Sequence, residues 1–299
     1  MQEIEGFRKP LMEDVELLRN CFMAQRHMAC DYSSGNIILW SKIYNTEIAY
    51  IKDMLIVKFS RGKDTFFTFP SGIGNHIEAI QWLEAYCQAE GIDLKFGIME
   101  PEMYAELKEM YPGRFSIEYC RDNADYIYLV EKLASLSGKA YHGKKNHVNK
   151  FMKTHEDWSY EKMSRENMEE CIQMVQQWCI ENGCCDDRDK AAEICVCIDG
   201  IRWREELGLT GGLIRTGDGI VALTLGEPLN QDTFVIHFEK AFSGIQGAYP
   251  MINQQFILHE LMGYKYVNRE EDMGLDGLRK AKESYKPVMM AEKGFAVSG

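Results

Sequence analysis

The chain has 299 residues, 45% hydrophobic and 27% charged, the composition of a soluble globular protein with length for two cores. No apolar run approaches the roughly 18 residues that suggest a membrane span. The acidic start Met1-Gln-Glu-Ile-Glu-Gly-Phe7 also lacks the apolar stretch of a secretory signal, so a cytoplasmic location is expected. A net charge of −12 argues against non-specific nucleic-acid binding, yet residues 139–153 carry five lysines, two histidines and no acid, leaving −17 on the rest.

Leu11, Val15, Leu18 and Phe22 recur at helical spacing within 10–30. Residues 37–44, 55–59 and 64–69 have strand composition. The turn 71–75 opens a helix on Ile77, Ile80, Leu83 and Cys87 that Gly91 stops. A strand at 94–99, a helix from Pro101 to Met110 and strands at 115–119 and 126–130 follow. Residues 133–153 read as a basic helical linker. Beyond it come a short strand at 158–160, helices from Ser164 to Asn182 and at 188–203, and three strands within 207–215, 219–226 and 233–239. A helix at 250–262, a strand at 264–268 and a helix at 275–285 end the series, with Leu275, Leu278, Ala281 and Tyr285 as its expected buried stripe. Ten cysteines show no Cys-x-x-Cys spacing, so they read as reduced, small apolar side chains and no metal site is expected.

Two segments carry a resemblance. Leu136-Ser-Gly-Lys-Ala-Tyr-His-Gly-Lys-Lys-Asn-His-Val-Asn-Lys-Phe151 resembles the linker signature of an uncharacterised bacterial family related to the C-terminal domain of phosphatidylglycerol lysyltransferases. That family's Lys-Arg-Asn core stands here as Lys144-Lys145-Asn146. The tail Val267-Asn-Arg-Glu-Glu-Asp-Met-Gly274, continued by Gly277-Leu-Arg-Lys-Ala-Lys282 and Tyr285-Lys-Pro287, resembles the second signature. The resemblance implies an α+β fold of two tandem GNAT-like domains, mixed sheets flanked by helices, distantly similar to Fem-type aminoacyltransferases. The expected units are 1–135, a basic linker helix at 136–155, and 156–299.

The implied function is transfer of an aminoacyl or acyl group from an anionic carrier, aminoacyl-tRNA or acyl-CoA, to an amine or hydroxyl of a small molecule or lipid head group. Lys144, Lys145 and Asn146 would hold the carrier, because its affinity is set by phosphate neutralisation. Gly244 and Gly247, before the helix at 250, would offer backbone N–H groups to a pyrophosphate, although the loop lacks the cation that leads the usual acetyl-CoA pattern. Arg279 and Lys282 would add a cationic wall. Glu239 is the expected base, with His237 beside it by strand alternation, Glu227 facing the same cleft and Tyr285 as a proton donor. His259 reads as structural. No Ser-His-Asp order, P-loop or dinucleotide fingerprint is present, so a non-catalytic ligand-binding or regulatory protein is the rival expectation.

Overall fold

The structure, a computed structural model, describes residues 4–184 and 187–299; Cys185 lies outside the described residues. Strand β1 (Ile4–Arg8) and helices α1 (Val15–Met23) and α2 (Ser34–Leu39) lead into β2 (Glu47–Ile51), β3 (Met54–Arg61), β4 (Asp64–Phe67) and β5 (Ser71–Gly72). Next are α3 (His76–Glu90), β6 (Lys95–Met99), α4 (Pro101–Met110), β7 (Phe115–Tyr119), β8 (Asp125–Leu129) and α5 (Val130–Ser135). The basic stretch becomes a short turn, Lys139–Tyr141, and α6 (His142–Thr154). Then follow β9 (Ser159–Lys162), α7 (Met168–Glu181), α8 (Arg188–Arg202), β10 (Thr210–Thr216), β11 (Gly219–Pro228), β12 (Thr233–Ala241) and α9 (Ala248–Glu260). The chain closes with β13 (Tyr266–Asn268), α10 (Asp276–Glu283), β14 (Met289–Ala291) and β15 (Gly294–Ser298).

Local chemistry sets several of these limits. The Asn75 side chain accepts from the backbone of Ile77 and Glu78 and starts α3, while Gly91, at φ +67°, ends it in the left-handed region. Pro101 occupies the first turn of α4, where its missing N–H costs nothing. Asp187 caps α8 through the N–H groups of Asp189 and Lys190.

Two mixed sheets result, each flanked by helices, as the resemblance implied. The first runs β1-β2-β3-β4-β6-β15-β7, with β5 on β3; the second runs β14-β8-β13-β12-β11-β10-β9. Among the described strands, only β4–β6 and β12–β13 pair in parallel. The final strand β15 returns to the first sheet between β6 and β7, and β8 belongs to the second although it precedes residue 135. Sheet membership therefore does not follow the order of the chain. In the second sheet one face packs Phe234, Phe256, Phe151 and Tyr285 together, and the other packs Leu225, Phe238, Val175 and Ile201. Strand β11 is buried along almost its whole length because helices cover both faces. Among the described cysteines, Cys21, Cys87, Cys171, Cys184 and Cys197 are buried free thiols within or beside these cores.

The strand expected at 37–44 is a helix followed by turns. The reason is tertiary: Glu227 accepts hydrogen bonds from the Ser34 hydroxyl and the Gly35 N–H, both at 2.7 Å, and so holds the start of α2 from far along the chain. The buried stripe expected along α10 is also absent. Tyr285 is buried, but Leu275 and Leu278 are exposed.

Candidate active site

Glu239, on β12, sits among cations. Its carboxylate accepts from Arg269 Nη2 at 2.8 Å and from Asn253 Nδ2, on α9, at 3.0 Å. The Arg269 guanidinium lies 4.7 Å from the Tyr285 ring centroid, and Lys144 Nζ, from α6, lies 3.9 Å from the same ring. Both distances are in the range of cation–π attraction. Burial, with the nearby Arg269 charge, lowers the Lys144 pKa to about 8, against a smaller opposing pull from Glu239. Burial raises the Tyr285 phenol. Burial works against the Arg269 charge too, but Glu239, with Tyr128 and Tyr285, outweighs it and the guanidinium stays charged.

Two buried polar atoms in this cluster have no partner: Arg269 Nη1, a donor, and Asn253 Oδ1, an acceptor. Asn253 is 1% exposed. An unmade buried hydrogen bond costs on the order of 1–3 kcal/mol, so a donor and an acceptor left open on the two side chains that hold Glu239 are candidate contacts for a ligand group. Lys144 likewise makes no ion pair among the described residues, although it stands next to a carboxylate already taken by Arg269.

His237 does not join this cluster. The pairing of β11 with β12 slips between Leu225 and Gly226, leaving His237 as an extra residue in β12 and ending the alternation that would have put it beside Glu239. Its Nε2 lies 3.0 Å from Glu227 and its Nδ1 2.9 Å from Glu270. Burial opposes its charge, but these two carboxylates raise its pKa to about 9. Glu227 reaches α2 and Glu239 reaches α9, so the two acids do not face one cleft. The His237 imidazolium thus acts as a clamp joining α2, β11 and the segment after β13.

The remaining expected site residues are spread around these two groups. Lys145 and Asn146 are exposed on α6. Gly244 stands in open space, whereas a Cβ on Gly247 would meet the His147 carbonyl oxygen at 2.5 Å, at φ +91°. Gly247 is therefore needed for the close approach of α6 and α9. Gly247→Ala is expected to cost roughly 1–3 kcal/mol, read as a lower urea midpoint at unchanged slope. Arg279 is held by Asp272, at 2.8 Å through both Nε and Nη2, and by Asp122 at 2.6 Å. Lys282 Nζ donates to the backbone carbonyls of Arg269 and Glu270 and fixes the turn that aims Arg269. His259 stacks on Tyr160 at 4.2 Å.

Arg269 and Asn253 were not singled out by the sequence reading. Arg269 lies inside the tail signature, masked by its acidic neighbours. Asn253 had a signal, a polar residue on the apolar face of a helix with Met251, Ile252 and Phe256. A third group was missed entirely. Lys293 Nζ lies 2.8 Å from both Asp31 and Asp125 and 3.2 Å from Glu271. Cys30, Asp31 and Asp125 lie close enough to share one metal ion, but the lysine ammonium occupies the cationic role in that cage.

The family model described as phosphatidylglycerol lysyltransferase, C-terminal, matches residues 23–296. A conserved protein of unknown function from Bacteroides thetaiotaomicron is 36% identical, with a TM-score of 0.94 over 98% of this chain and 99% of that one. L-PGS from Bacillus licheniformis is 18% identical, with a TM-score of 0.68 over 98% of this chain and 93% of that one, a likeness of fold. An uncharacterised protein of Mycoplasmoides gallisepticum is 25% identical over 198 residues, 62% of this chain and 60% of that protein's length.

Proposed function

The chain belongs to the phosphatidylglycerol lysyltransferase C-terminal family, and from that premise we propose that it transfers an aminoacyl or acyl group from an anionic carrier, aminoacyl-tRNA or acyl-CoA, to an amine or hydroxyl. The observation that carries this reading is the open pair Arg269 Nη1 and Asn253 Oδ1, buried next to Lys144 and Tyr285. A carbonyl oxygen bound by Arg269 Nη1 would find a fixed cation in a low-dielectric site as its negative charge develops. Asn253 Oδ1 would accept a hydrogen bond from the transferred group or the acceptor. The exposed Lys145, with Lys139, Lys150 and Lys153 along the same stretch, supports binding of the carrier phosphates.

The proton work falls to Lys144 in this reading. Glu239 spends its carboxylate on Arg269 and Asn253, which suits it to hold the guanidinium. Lys144, with a pKa of about 8, is partly free amine near neutral pH. It would take the proton of the attacking amine or hydroxyl, become an ammonium, and return that proton to the departing oxygen or sulfur of the carrier.

The test is transfer from lysyl-tRNA, alanyl-tRNA or acetyl-CoA to phosphatidylglycerol vesicles or soluble amines. Where turnover occurs, kcat/KM is expected to rise with pH through about 8 as Lys144 loses its proton. Lys144→Met should abolish that limb and lower the rate by roughly 100- to 10,000-fold. A Lys144→Met protein with an unchanged rate and pH profile would remove this assignment. Binding of carrier without transfer to any acceptor would instead support a non-catalytic protein.

A further inference from the structure

The first sheet buries one face in its core, and its other face carries a separate cluster of rings. Phe67, Phe96 and Ala296 belong to the core. Strand alternation turns Phe59, Phe66 and Phe295 to the opposite face, where Phe66 stacks on Phe59 at 5.9 Å and meets Phe295 edge-on at 5.0 Å. A Cβ on Gly97 of β6 would come within 2.7 Å of the Phe59 ring and 3.2 Å of the Phe295 ring, so this glycine lets both rings lie on the sheet. Beside the rings opens a cavity of about 360 Å³, lined by Arg61 of β3, Ile117 and Glu118 of β7, Phe295 and Val297 of β15, and Cys120. Ligand clefts run from roughly 300 to 1,000 Å³, so this one suits a molecule of amino-acid size.

Charge identifies the occupant. The Arg61 guanidinium lies 4.7 Å from the Phe295 ring centroid, within the range of cation–π attraction, and is thereby held at the cavity. The acid opposite Arg61 in the β3–β4 pairing, Asp64, is taken by Lys95 at 2.7 Å. Glu118 stands opposite Phe295 in the β15–β7 pairing. Neither Arg61 nor Glu118 makes an ion pair among the described residues. Opposite charges that line one cavity without closing on each other leave a gap for a molecule that carries both. A simple anion would meet the like charge of Glu118, and a simple cation that of Arg61. The guanidinium fork matches a carboxylate in two parallel hydrogen bonds, and Glu118 can accept from an ammonium.

We propose that this cavity binds a free α-amino acid with an apolar side chain. The carboxylate pairs with Arg61, the ammonium with Glu118, and the side chain lies against Phe295, Val297 and Ile117. No residue of the cavity belongs to the Lys144–Arg269 cluster, so binding here is independent of the transferase reading. Phe295 and Val297 stand on β15, which follows directly on Lys293, the residue held by acids from both halves of the chain. A ligand fixed between Arg61 of β3 and Glu118 of β7 therefore steadies the strand that returns to the first sheet.

The experiment is calorimetric titration of the full chain with L-leucine and L-phenylalanine. Isocaproate, which lacks the ammonium, and isoamylamine, which lacks the carboxylate, serve as single-charge probes. At least one amino acid is expected to bind saturably with a Kd at or below about 1 mM, and both single-charge probes at least about tenfold more weakly. Arg61→Gln and Glu118→Gln, both at exposed positions, should each weaken binding at least about tenfold with an unchanged melting temperature. Cys120 lines the cavity and is partly exposed, so its alkylation by iodoacetamide should slow when the amino acid is bound, while that of the exposed Cys195 should not. No saturable binding of either amino acid up to about 10 mM overturns the proposal. So does binding that both variants retain, equal binding of a single-charge probe, or a dimer that shields Cys120 without ligand.

Discussion

Lys293→Met is expected to lose roughly 3–5 kcal/mol of folding stability near neutral pH, enough to lower the melting temperature by roughly 5–15 °C. Lys293 is fully enclosed by Asp31, Asp125, Glu271 and Cys30, and it immediately precedes β15, the strand that crosses back to the first sheet. Asp125 begins β8 of the second sheet, so one ammonium ties the two sheets at the point of exchange. Methionine fills most of the volume but leaves the buried Asp125 carboxylate, and the half-buried Asp31 and Glu271 beside it, without a counter-charge. The pH dependence distinguishes lost charge from lost packing. Burial opposes the Glu271 charge, and Lys293, together with hydrogen bonds from Asp125 and the backbone and the nearby Lys282 charge, outweighs it, so the folded pKa lies below the unfolded one. A depressed acid contributes stability above its unfolded pKa, and that contribution is lost as pH falls through the folded value. The variant forfeits it, and Asp125, already raised by burial, is raised further. The deficit should therefore be largest near pH 8 and shrink toward pH 5, where the carboxyls can protonate. Adding Asp125→Asn should restore part of it. Urea midpoints across that range measure this; a deficit under about 1 kcal/mol, or one equal at all pH values, would show that the cage does not need its cation.

What could be read from the sequence was what is local. The α3 limits follow from Asn75 and Gly91, that of α4 from Pro101, and the three long strands of the second half from turn residues between apolar runs. Segment 37–44 has strand composition yet folds as helix and turns, because Glu227, which holds the start of α2, lies too far along the chain for any window to include. Strand β15 is short and owes its existence to β6 and β7 on either side. The site divides in the same way. Lys144 and Tyr285 lie in the two signature segments and do meet, at 3.9 Å. Pairing His237 with Glu239 assumed an unbroken strand, and one bulge sends the two side chains to different helices. The buried stripe assigned to α10 failed for a related reason. Arg279 and Lys282 find buried partners, so polar contacts, which helical periodicity does not weigh, decide how the helix sits. Composition treats a lone cation as surface, whereas Arg269 here pairs with Glu239 between tyrosine rings, and Lys293 is enclosed by Asp31, Asp125 and Glu271, acids that arrive from other elements.

Arg269→Gln is expected to lower the transfer rate by roughly 100- to 1,000-fold, the range for removing a donor aimed at a developing oxyanion. The substitution also leaves Glu239 buried and unpaired, so a loss of stability must be separated from a loss of chemistry. Glu239→Gln provides the separation. Glutamine retains an oxygen that can accept from Arg269. Its amide can donate to Asn253 Oδ1, which has no partner at present, if the Asn253 side chain turns over. If Glu239 only holds the guanidinium, Glu239→Gln should cost less than about tenfold in kcat, and the Arg269→Gln/Glu239→Gln protein should regain stability but not rate. If Glu239 is the base, the single Glu239→Gln change should by itself cost about 100-fold or more and remove a carboxylate limb from the pH profile. The two outcomes assign the proton to different residues. The open Nη1 favours the first, because a carboxylate committed to Arg269 and Asn253 has little capacity left to collect a proton, and Lys144 stands beside it without an ion pair.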